Sequence, residues 1–362
     1  MVSVRVRGLW GSAVTGGYDA VREVAVPSRL GAVADLAAVS DGEQPVWLAL
    51  GEDGTISRWD MATGHHEAVA TTTVPDEPDH DPWNDRPLRR RLHASHDGMF
   101  AAVVNDYGRF GEVIDLRTGE VTLDLENEGY ETETVPFSLA FGQSQGRCVV
   151  IHRTDWNRLD VSDPQTGLLL TDRSIPVPPE EGPLPEHYLD YFHGALYVSP
   201  DGKRILDDGW IWHPIGVPSV WDLSPWFETN VWESEDGPSR VDVCDRGYYW
   251  NSAMTWIDSV RVAVEGIGED DSVMRPGARI FDTSRTGQYE MAVELLVIAG
   301  PTGPFFSDGS RLFSCGDAGL SIWDPVEGKL LGEVPGLSPT HHHPDARQFL
   351  QLGDGVVRLW TA

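Results

Sequence analysis

Basic residues are scarce in this sequence of 362 residues. It contains 27 Lys and Arg against 57 Asp and Glu, which gives a formal net charge of −30 at pH 7. Proteins that bind nucleic acid or anionic membranes gain affinity by neutralising phosphates with clustered Lys and Arg. The one basic cluster, Arg86 and Arg89 to Arg91, follows a run of aspartates that would neutralise it. We therefore expect neither nucleic acid nor a membrane among the partners.

Paired cysteines and long apolar runs are also missing. Cys148, Cys244 and Cys315 are far apart and never form a Cys-x-x-Cys pair, which is typical of reduced thiols in a cytosol. No stretch approaches the roughly 18 apolar residues of a membrane span. The first seven residues alternate Val with charge and lack the apolar core of a signal peptide. These features predict a soluble, cytoplasmic protein.

Established catalytic and cofactor-binding motifs are absent as well. The sequence has no HExxH, no GxSxG, no P-loop and no GxGxxG after a strand. Gly266-Ile-Gly268 lies in an acidic loop that would repel phosphate. We therefore expect no cofactor, and no motif identifies the chain as an enzyme.

The sequence contains one repeated pattern of strands and turns. A short apolar stretch ends in a Ser-Asp-Gly-like turn, a second apolar strand and a tight turn follow, and a third strand ends in Trp-Asp or a similar pair. The strand-ending position recurs seven times, at Asp60, Asp115, Asp160, Asp222, Asp282, Asp324 and Trp360. Each copy holds β-branched and aromatic runs between Gly, Asp and Pro turns, and no window shows a sustained 3.6-residue period. Four-stranded units of about 40 to 45 residues with this ending are typical of propeller blades.

The repeats resemble the WD40-repeat β-propeller family, in a divergent, bacterial-type form. The matching residues are Trp59-Asp60, Trp221-Asp222, Trp323-Asp324, Ser199-Pro-Asp-Gly202, and Asp53, Asp317 and Asp354, each six residues before a Trp. The likeness covers nearly the whole chain, but the Gly-His pair that normally opens a repeat is missing. It implies an all-β, seven-bladed propeller with four-stranded antiparallel blades.

The last copy stops after its third strand, so we expect an N-terminal strand to complete that blade and close the ring. Residues 2–7 are predicted to be this strand, and the whole chain, 1–362, to form one domain. The predicted blades cover about 33–74, 88–125, 136–175, 194–233, 251–296, 301–335 and 339–362 plus 2–7.

Insertions are concentrated in particular connections. With strands a to d counted from the inside of each blade, the a–b and c–d turns are short. The long segments are 75–87, 126–136, 176–193 and roughly 234–251 as d–a connections, and 207–218 and 265–276 as b–c connections. All of these are predicted to lie on one face, which we interpret as the binding surface.

These insertions mix acidic and aromatic residues, which suits an Arg, Lys or amine through ion pairing and cation–π contact. The predicted binding face comprises Trp83, Tyr130, Glu186, Tyr188, Tyr191, Trp210, Trp212, His213, Tyr249 and Trp250; Tyr107 and Trp156 are expected nearby. Alternatively, the acids form an ordinary solvated surface and the rings cap the blades.

His341, His342 and His343 replace apolar residues of an innermost strand. His341 and His343 would point to one side, and with His193 and Asp345 they could form a catalytic or small-molecule site at the channel mouth. His341, His343 and Asp345 are the candidate metal ligands. Alternatively, the histidines fill polar space where the ring closes.

Two functions follow from these patterns. The first is a non-catalytic scaffold whose acidic, aromatic face binds a basic or aromatic-anchored protein or peptide. The second is an enzyme, or a protein that binds a small molecule or metal, with the His and carboxylate cluster at the channel mouth.

Overall fold

Seven radial β-sheets form the ring of this computed structural model. The structure describes residues 20–41, 44–75, 77, 89–127, 130–174, 176–179, 181–285 and 290–362. The predicted all-β, seven-bladed propeller is therefore confirmed. Within these residues no helix is both long enough and apolar enough to span a bilayer.

Most blades have the expected a, b, c, d order. Blade 1 contains β2 Val33–Asp41, β3 Gln44–Gly51, β4 Thr55–Trp59 and β5 His66–Thr71. Blade 2 contains β6 Arg89–Ala94, β7 Phe100–Asp106, β8 Phe110–Asp115 and β9 Glu120–Glu126. Blade 5 contains β19 Met254–Trp256, β20 Arg261–Ile267, β21 Arg275–Asp282 and β22 Val293–Ala299. Blade 6 contains β23 Phe305–Ser307, β24 Leu312–Gly316, β25 Gly319–Trp323 and β26 Leu330–Pro335.

Blades 3 and 4 depart from this pattern. Blade 3 has three strands, β10 Leu139–Ser144, β11 Arg147–Asp155 and β12 Arg158–Ser162, and a single bridge from Ser162 to Leu169 follows. Blade 4 contains β13 Phe192–Val198, β14 Arg204–Ile211, β16 Ser219–Asp222 and β17 Val241–Asp242, and the short strands β15 Ile215–Gly216 and β18 Arg246–Gly247 extend it.

Blade 7 closes the ring. It contains β27 His341–His343, β28 Gln348–Gly353, β29 Val356–Thr361 and, at its outer edge, β1 Arg22–Ala25, which pairs antiparallel with β29. The prediction that an N-terminal strand closes the last blade is thus confirmed. Its location is corrected, because the outer position is taken by Arg22–Ala25; residues 2–7 lie outside the described residues.

The hydrophobic core is divided among the seven interfaces between neighbouring blades. Side chains alternate along each strand, so successive residues face opposite neighbours. In β3, for example, Leu48 packs toward blade 2, whereas Trp47 packs toward blade 7. In β7, Ala101 contacts blade 1 and Ala102 contacts blade 3. Each blade therefore needs both neighbours, which makes ring closure important for stability.

The two residues of each Trp-Asp ending have separate structural roles. Trp59 and Trp221 are completely buried between blades. The following aspartate closes the c–d turn: the Asp60 carboxylate accepts hydrogen bonds from the Ala62 amide at 2.8 Å and from the Thr63 hydroxyl. A bulky ring that fills an interface and a short acceptor that orders the turn explain why the pair recurs.

One insertion belongs to a different connection from the one predicted. The part of the 234–251 segment up to residue 240 lies in the c–d connection of blade 4, together with α1 Leu223–Glu228 and α2 Glu233–Asp236. Helix α2 packs along the outer side of blade 3, where Arg173 bonds the Glu235 carboxylate. The helix occupies space next to the three-stranded blade, which sequence spacing could not reveal.

Candidate functional site

A cluster of aromatic rings lies on the face formed by the d–a and b–c connections of blades 3 and 4. We call it the aromatic surface and define it as Tyr130, Trp156, Phe192, Trp210, Trp212 and Trp250. Phe192 lies at its centre, stacked on Trp210 at 4.1 Å between ring centroids, and Trp210 in turn stacks on Trp250 at 4.9 Å. Tyr130, Trp156 and Trp212 contact Phe192 at 5.8, 4.7 and 5.8 Å. Rings from four separate connections therefore form one continuous layer.

Thr134 fixes the position of this layer. Its 3-10 turn, Thr132–Thr134, lies in the connection between blades 2 and 3. The Thr134 carbonyl accepts hydrogen bonds from Trp250 Nε1 at 2.9 Å and from Asn251 Nδ2 at 2.7 Å, and its hydroxyl accepts one from Trp210 Nε1 at 3.3 Å. The polar edges of the buried rings are thus satisfied, which leaves apolar ring surface for packing.

Two members of the aromatic surface remain open to solvent. Tyr130 is 51% exposed and Trp212 is 50% exposed, whereas Phe192 and Trp210 are buried. Rigid aromatic side chains that stand partly out of a packed layer are typical anchors of protein interfaces, because they add contact area with little loss of conformational entropy. The arrangement can hold a flat apolar or cationic group of a partner.

Carboxylates occur on the connections that carry or adjoin the exposed rings, as Glu131, Glu186 and Asp190 do. Burial, together with the neighbouring Glu133, raises the pKa of Glu131. Burial, together with Asp190 and Tyr130, raises the pKa of Tyr188. Glu186 extends into solvent with 88% of its side chain exposed. A cation that binds Tyr130 would therefore meet an aromatic ring on a connection that also carries carboxylates.

The other predicted face residues have different positions. Tyr191 is buried, and its hydroxyl donates to the Val217 carbonyl at 2.9 Å, so it supports blade 4 from inside. Tyr249 is half-buried under Arg246, 5.4 Å from the guanidinium, and His213 is exposed in the b–c connection. Trp83 lies outside the described residues. The sequence analysis did not include Phe192 in the predicted binding face. Phe192 lies between Tyr191 and His193 at the start of β13, and because side chains alternate along a strand, its ring faces the side opposite to theirs.

The three consecutive histidines connect blade 7 to both neighbours. His341 Nε2 lies 2.7 Å from Asp35 Oδ1 of blade 1, and His343 Nε2 lies 3.1 Å from the Val39 carbonyl, also in blade 1. His342 points the other way, where it stacks on Phe349 of its own blade at 4.4 Å and contacts Phe306 of blade 6 at 5.6 Å. As predicted, the side chains of His341 and His343 point to one side of the strand and that of His342 to the other. The imidazole rings of His341 and His343 thus contact atoms of blade 1 where the propeller closes.

His193 does not join His341 and His343. It is completely buried in blade 4, where its Nδ1 lies 2.5 Å from Asp207 Oδ2. Asp345 lies in the a–b turn after His343, where it accepts a hydrogen bond from Ser40 Oγ. The expectation of one His and carboxylate cluster at the channel mouth of the insertion face is therefore corrected. The strand directions carry His343 and Asp345 to the opposite face, and no group of three metal-binding side chains occurs among the described residues.

The central channel opens on that opposite face into a cavity of about 660 Å³. Its lining comes from the ends of the inner strands and the a–b turns of blades 1, 2, 3, 4 and 7, and includes Asp97, Asp201 and Asp345. In blades 5 and 6 the corresponding Asp258 and Asp308 pair with arginines. Acidic residues thus occur on the opposite face as well as in the insertions.

No family model matches the sequence, and the search of curated proteins found no match. Among solved structures, a chain of the structure described as "Crystal Structure of Mitotic Checkpoint Complex" is similar over 99% of both chains, with a TM-score of 0.55 and 14% sequence identity. At this identity the similarity shows the fold. That fold is the seven-bladed propeller described above.

Proposed function

We propose that this protein is a non-catalytic binding module, a WD40-like scaffold of bacterial type that works in the cytoplasm and binds a basic or aromatic-anchored protein or peptide. The observation that carries the proposal is the aromatic surface, with Tyr130 and Trp212 half-exposed on a packed floor of Phe192 and Trp210. The occurrence of a similar fold in a protein complex is consistent with a partner protein.

The chemistry of the surroundings favours a cationic anchor. Glu131, Asp190 and Glu186 lie on the connections that carry the aromatic residues, and the chain as a whole has a net charge of −30. An Arg or Lys side chain that stacks on Trp212 or Tyr130 would gain cation–π contact and ion pairing together. The long-range field would increase the association rate of such a partner.

The contacts of the histidines support this proposal over the alternative of a catalytic or metal site. His341 and His343 are held by atoms of blade 1, and His193 by Asp207. The imidazole groups of these histidines lie inside the propeller, whereas Tyr130 and Trp212 of the aromatic surface are exposed to solvent.

A peptide selection tests the proposal. Random peptides are selected on the purified protein, and the affinity of the enriched peptides is measured by fluorescence anisotropy. We expect enrichment of Arg, Lys and aromatic residues, and affinity that falls as NaCl rises from 50 to 500 mM because salt screens the ion pairs. Trp212→Ala and Tyr130→Ala should each weaken binding by about tenfold or more, as interface anchors do.

Val326→Ala is the matched control, because Val326 is 63% exposed in a c–d turn on the opposite face. Its affinity for the selected peptides should equal that of the unmodified protein. Enrichment of acidic peptides, or equal binding by the Trp212, Tyr130 and Val326 variants with thermal midpoints unchanged, would show that the aromatic surface is not the binding site.

A further inference from the structure

The cavity on the face opposite the insertions is lined by carboxylates that no lining cation balances. Its volume of about 660 Å³ lies within the range of about 300 to 1,000 Å³ that is usual for small-molecule sites. Asp97, Asp201 and Asp345 line it, and no Lys or Arg occurs among the described residues that do so. The imidazoles of His96 and His343 also belong to the lining. The cavity therefore offers open space surrounded by negative charge.

The turns of blades 7, 1 and 2 meet at this cavity. The Ser40 hydroxyl of blade 1 donates a hydrogen bond to the Asp345 carboxylate of blade 7, and the Ser40 amide donates to the His96 carbonyl of blade 2 at 2.8 Å. His96 Nε2 lies 3.6 Å from Asp345 Oδ2. Asp97 follows His96 in the same turn. Asp97 and Asp345 therefore come from neighbouring parts of the lining.

One oxygen of each of these two carboxylates is engaged within the protein. Asp97 Oδ1 accepts hydrogen bonds from the Ser95 hydroxyl at 2.6 Å and from the Met99 amide at 3.0 Å. Asp345 Oδ2 accepts the hydrogen bond from Ser40. Asp97 Oδ2 and Asp345 Oδ1 accept no hydrogen bond from the described residues. Each carboxylate thus keeps an oxygen for a ligand.

The equivalent turns of blades 5 and 6 show what such a carboxylate binds when it is paired. Arg311 donates from Nε and Nη2 to Asp308 Oδ2 at 2.8 and 2.6 Å, and blade 5 has a similar pair. The arginine follows its aspartate by three residues. In blades 2 and 7 that position is occupied by Phe100 and Gln348, which carry no charge. The arginine that pairs with the turn carboxylate outside the cavity has no counterpart at the two turns inside it.

Apolar side chains also line the cavity. Ala38, Ala94, Phe141 and Val198 contribute from the innermost strands of blades 1 to 4. Methylene groups can pack on these side chains, and the Phe141 ring can contact a cation. An exposed ion pair contributes little by itself, so a ligand with one ammonium group would bind weakly. Several ammonium groups on one methylene chain would engage several carboxylates at once.

We propose that this cavity binds an aliphatic polyamine. Its ammonium groups pair with Asp97, Asp201 and Asp345, and its methylene groups pack on the apolar side chains of the inner strands. The net charge of −30 would raise the concentration of such a polycation near the protein. The cavity lies on the face opposite the aromatic surface and shares no residue with it, so this inference does not depend on the proposed function.

Isothermal titration calorimetry of the full chain with spermidine tests the proposal. Butylamine, which has one ammonium group, and magnesium chloride are the comparison ligands at equal ionic strength. We expect saturable binding of spermidine at one site per chain, with an affinity at least about tenfold higher than that of butylamine or Mg²⁺.

Variants of the lining locate the site. Asp97→Asn and Asp345→Asn keep an acceptor oxygen for their contacts but lose the charge, so each should weaken spermidine binding by about threefold or more, and the double variant by about tenfold or more. Gln143→Arg places a cation in the lining and should abolish saturable binding. Asp324→Asn is the matched control, because Asp324 Oδ1 accepts from the Val326 amide at 2.8 Å in a turn on the same face outside the cavity. It should bind spermidine normally.

Three outcomes would overturn the proposal, each for protein whose thermal midpoint shows that it is folded. The first is spermidine binding that is not saturable, or no tighter than that of butylamine or Mg²⁺. The second is an equal loss of affinity in Asp324→Asn and Asp345→Asn, which would indicate attraction to the net charge alone. The third is full affinity in Gln143→Arg. Trp212→Ala should weaken peptide binding and leave spermidine binding unchanged, so failures of the two proposals are distinguishable.

Discussion

Asp35 links three blades, and its removal should weaken the ring at its closure. Oδ1 lies 2.7 Å from His341 Nε2 of blade 7, and Oδ2 accepts a hydrogen bond from the Leu92 amide of blade 2 at 2.8 Å. Asp35 itself belongs to blade 1. Asp35→Ala removes both contacts and leaves the Leu92 amide and the His341 ring without this acceptor.

The magnitude follows from the burial of the pair. The side chains of Asp35 and His341 are 15% and 16% exposed. Hydrogen bonds to a charged group contribute about 1.5 to 3 kcal/mol each, and loss of one partner of a buried pair costs about 3 to 5 kcal/mol. Partial exposure reduces this, so we expect Asp35→Ala to lower the free energy of unfolding by about 3 kcal/mol. With an unfolding entropy of about 2.1 cal/mol/K per residue, the thermal midpoint of a chain this long should fall by about 4 °C.

The assay is thermal and urea unfolding of matched variants. Asp35→Asn keeps an acceptor for the Leu92 amide, so its loss should be about half as large. Asp53→Ala is the control, because the Asp53 carboxylate accepts only local bonds from Thr55 in an exposed turn; its effect should stay within about 0.5 kcal/mol. Asp35→Ala and His341→Ala should be non-additive by more than about 0.5 kcal/mol.

The pH dependence has a defined sign. Burial by itself would raise the pKa of Asp35, but the hydrogen bond and charge of His341, together with Arg91 and the Leu92 amide, hold it below its ordinary value. The stabilisation is therefore present above the unfolded-state pKa of about 3.9 and is lost as pH falls through the lower folded-state pKa. Asp35→Asn should flatten the stability profile in this acid range. An unchanged profile, or additive effects of Asp35→Ala and His341→Ala, would refute the proposed link.

Two further predictions concern buried side chains. Tyr191→Phe removes the hydroxyl that donates to the Val217 carbonyl and accepts from the Gly209 amide at 3.0 Å, so stability in urea should fall by about 1 to 3 kcal/mol; a value near zero would mean that water replaces the hydroxyl. Burial, with a smaller effect of His343, lowers the pKa of His342 to about 4, so the folded state opposes its protonation and stability should fall as pH drops from about 6.5 towards 4. Midpoints measured across this range should fall less for His342→Leu; an equal fall would assign the acid sensitivity to other groups.

The sequence by itself determined the kind of architecture. Short β-branched and aromatic runs between Asp and Gly turns, repeated seven times, are typical of blades whose strands are buried on both faces, and a closed ring of such blades leaves no exposed inner edge. The Trp-Asp endings marked a third strand because a large ring fills the interface and a short carboxylate closes the next turn. These are local rules, and they hold at Trp59, Asp60 and Trp221.

The tertiary structure decided where the special residues lie. Tyr130, Trp212 and Trp250 could be assigned to connections on one face, but only the packing around Phe192 and the bonds to Thr134 bring them into one layer. His193 and His341 lie in separate environments, because His193 contacts Asp207 on the neighbouring strand of blade 4 and His341 contacts Asp35 of blade 1. Contacts between segments far apart in sequence depend on strand direction and blade order, which a local pattern does not encode.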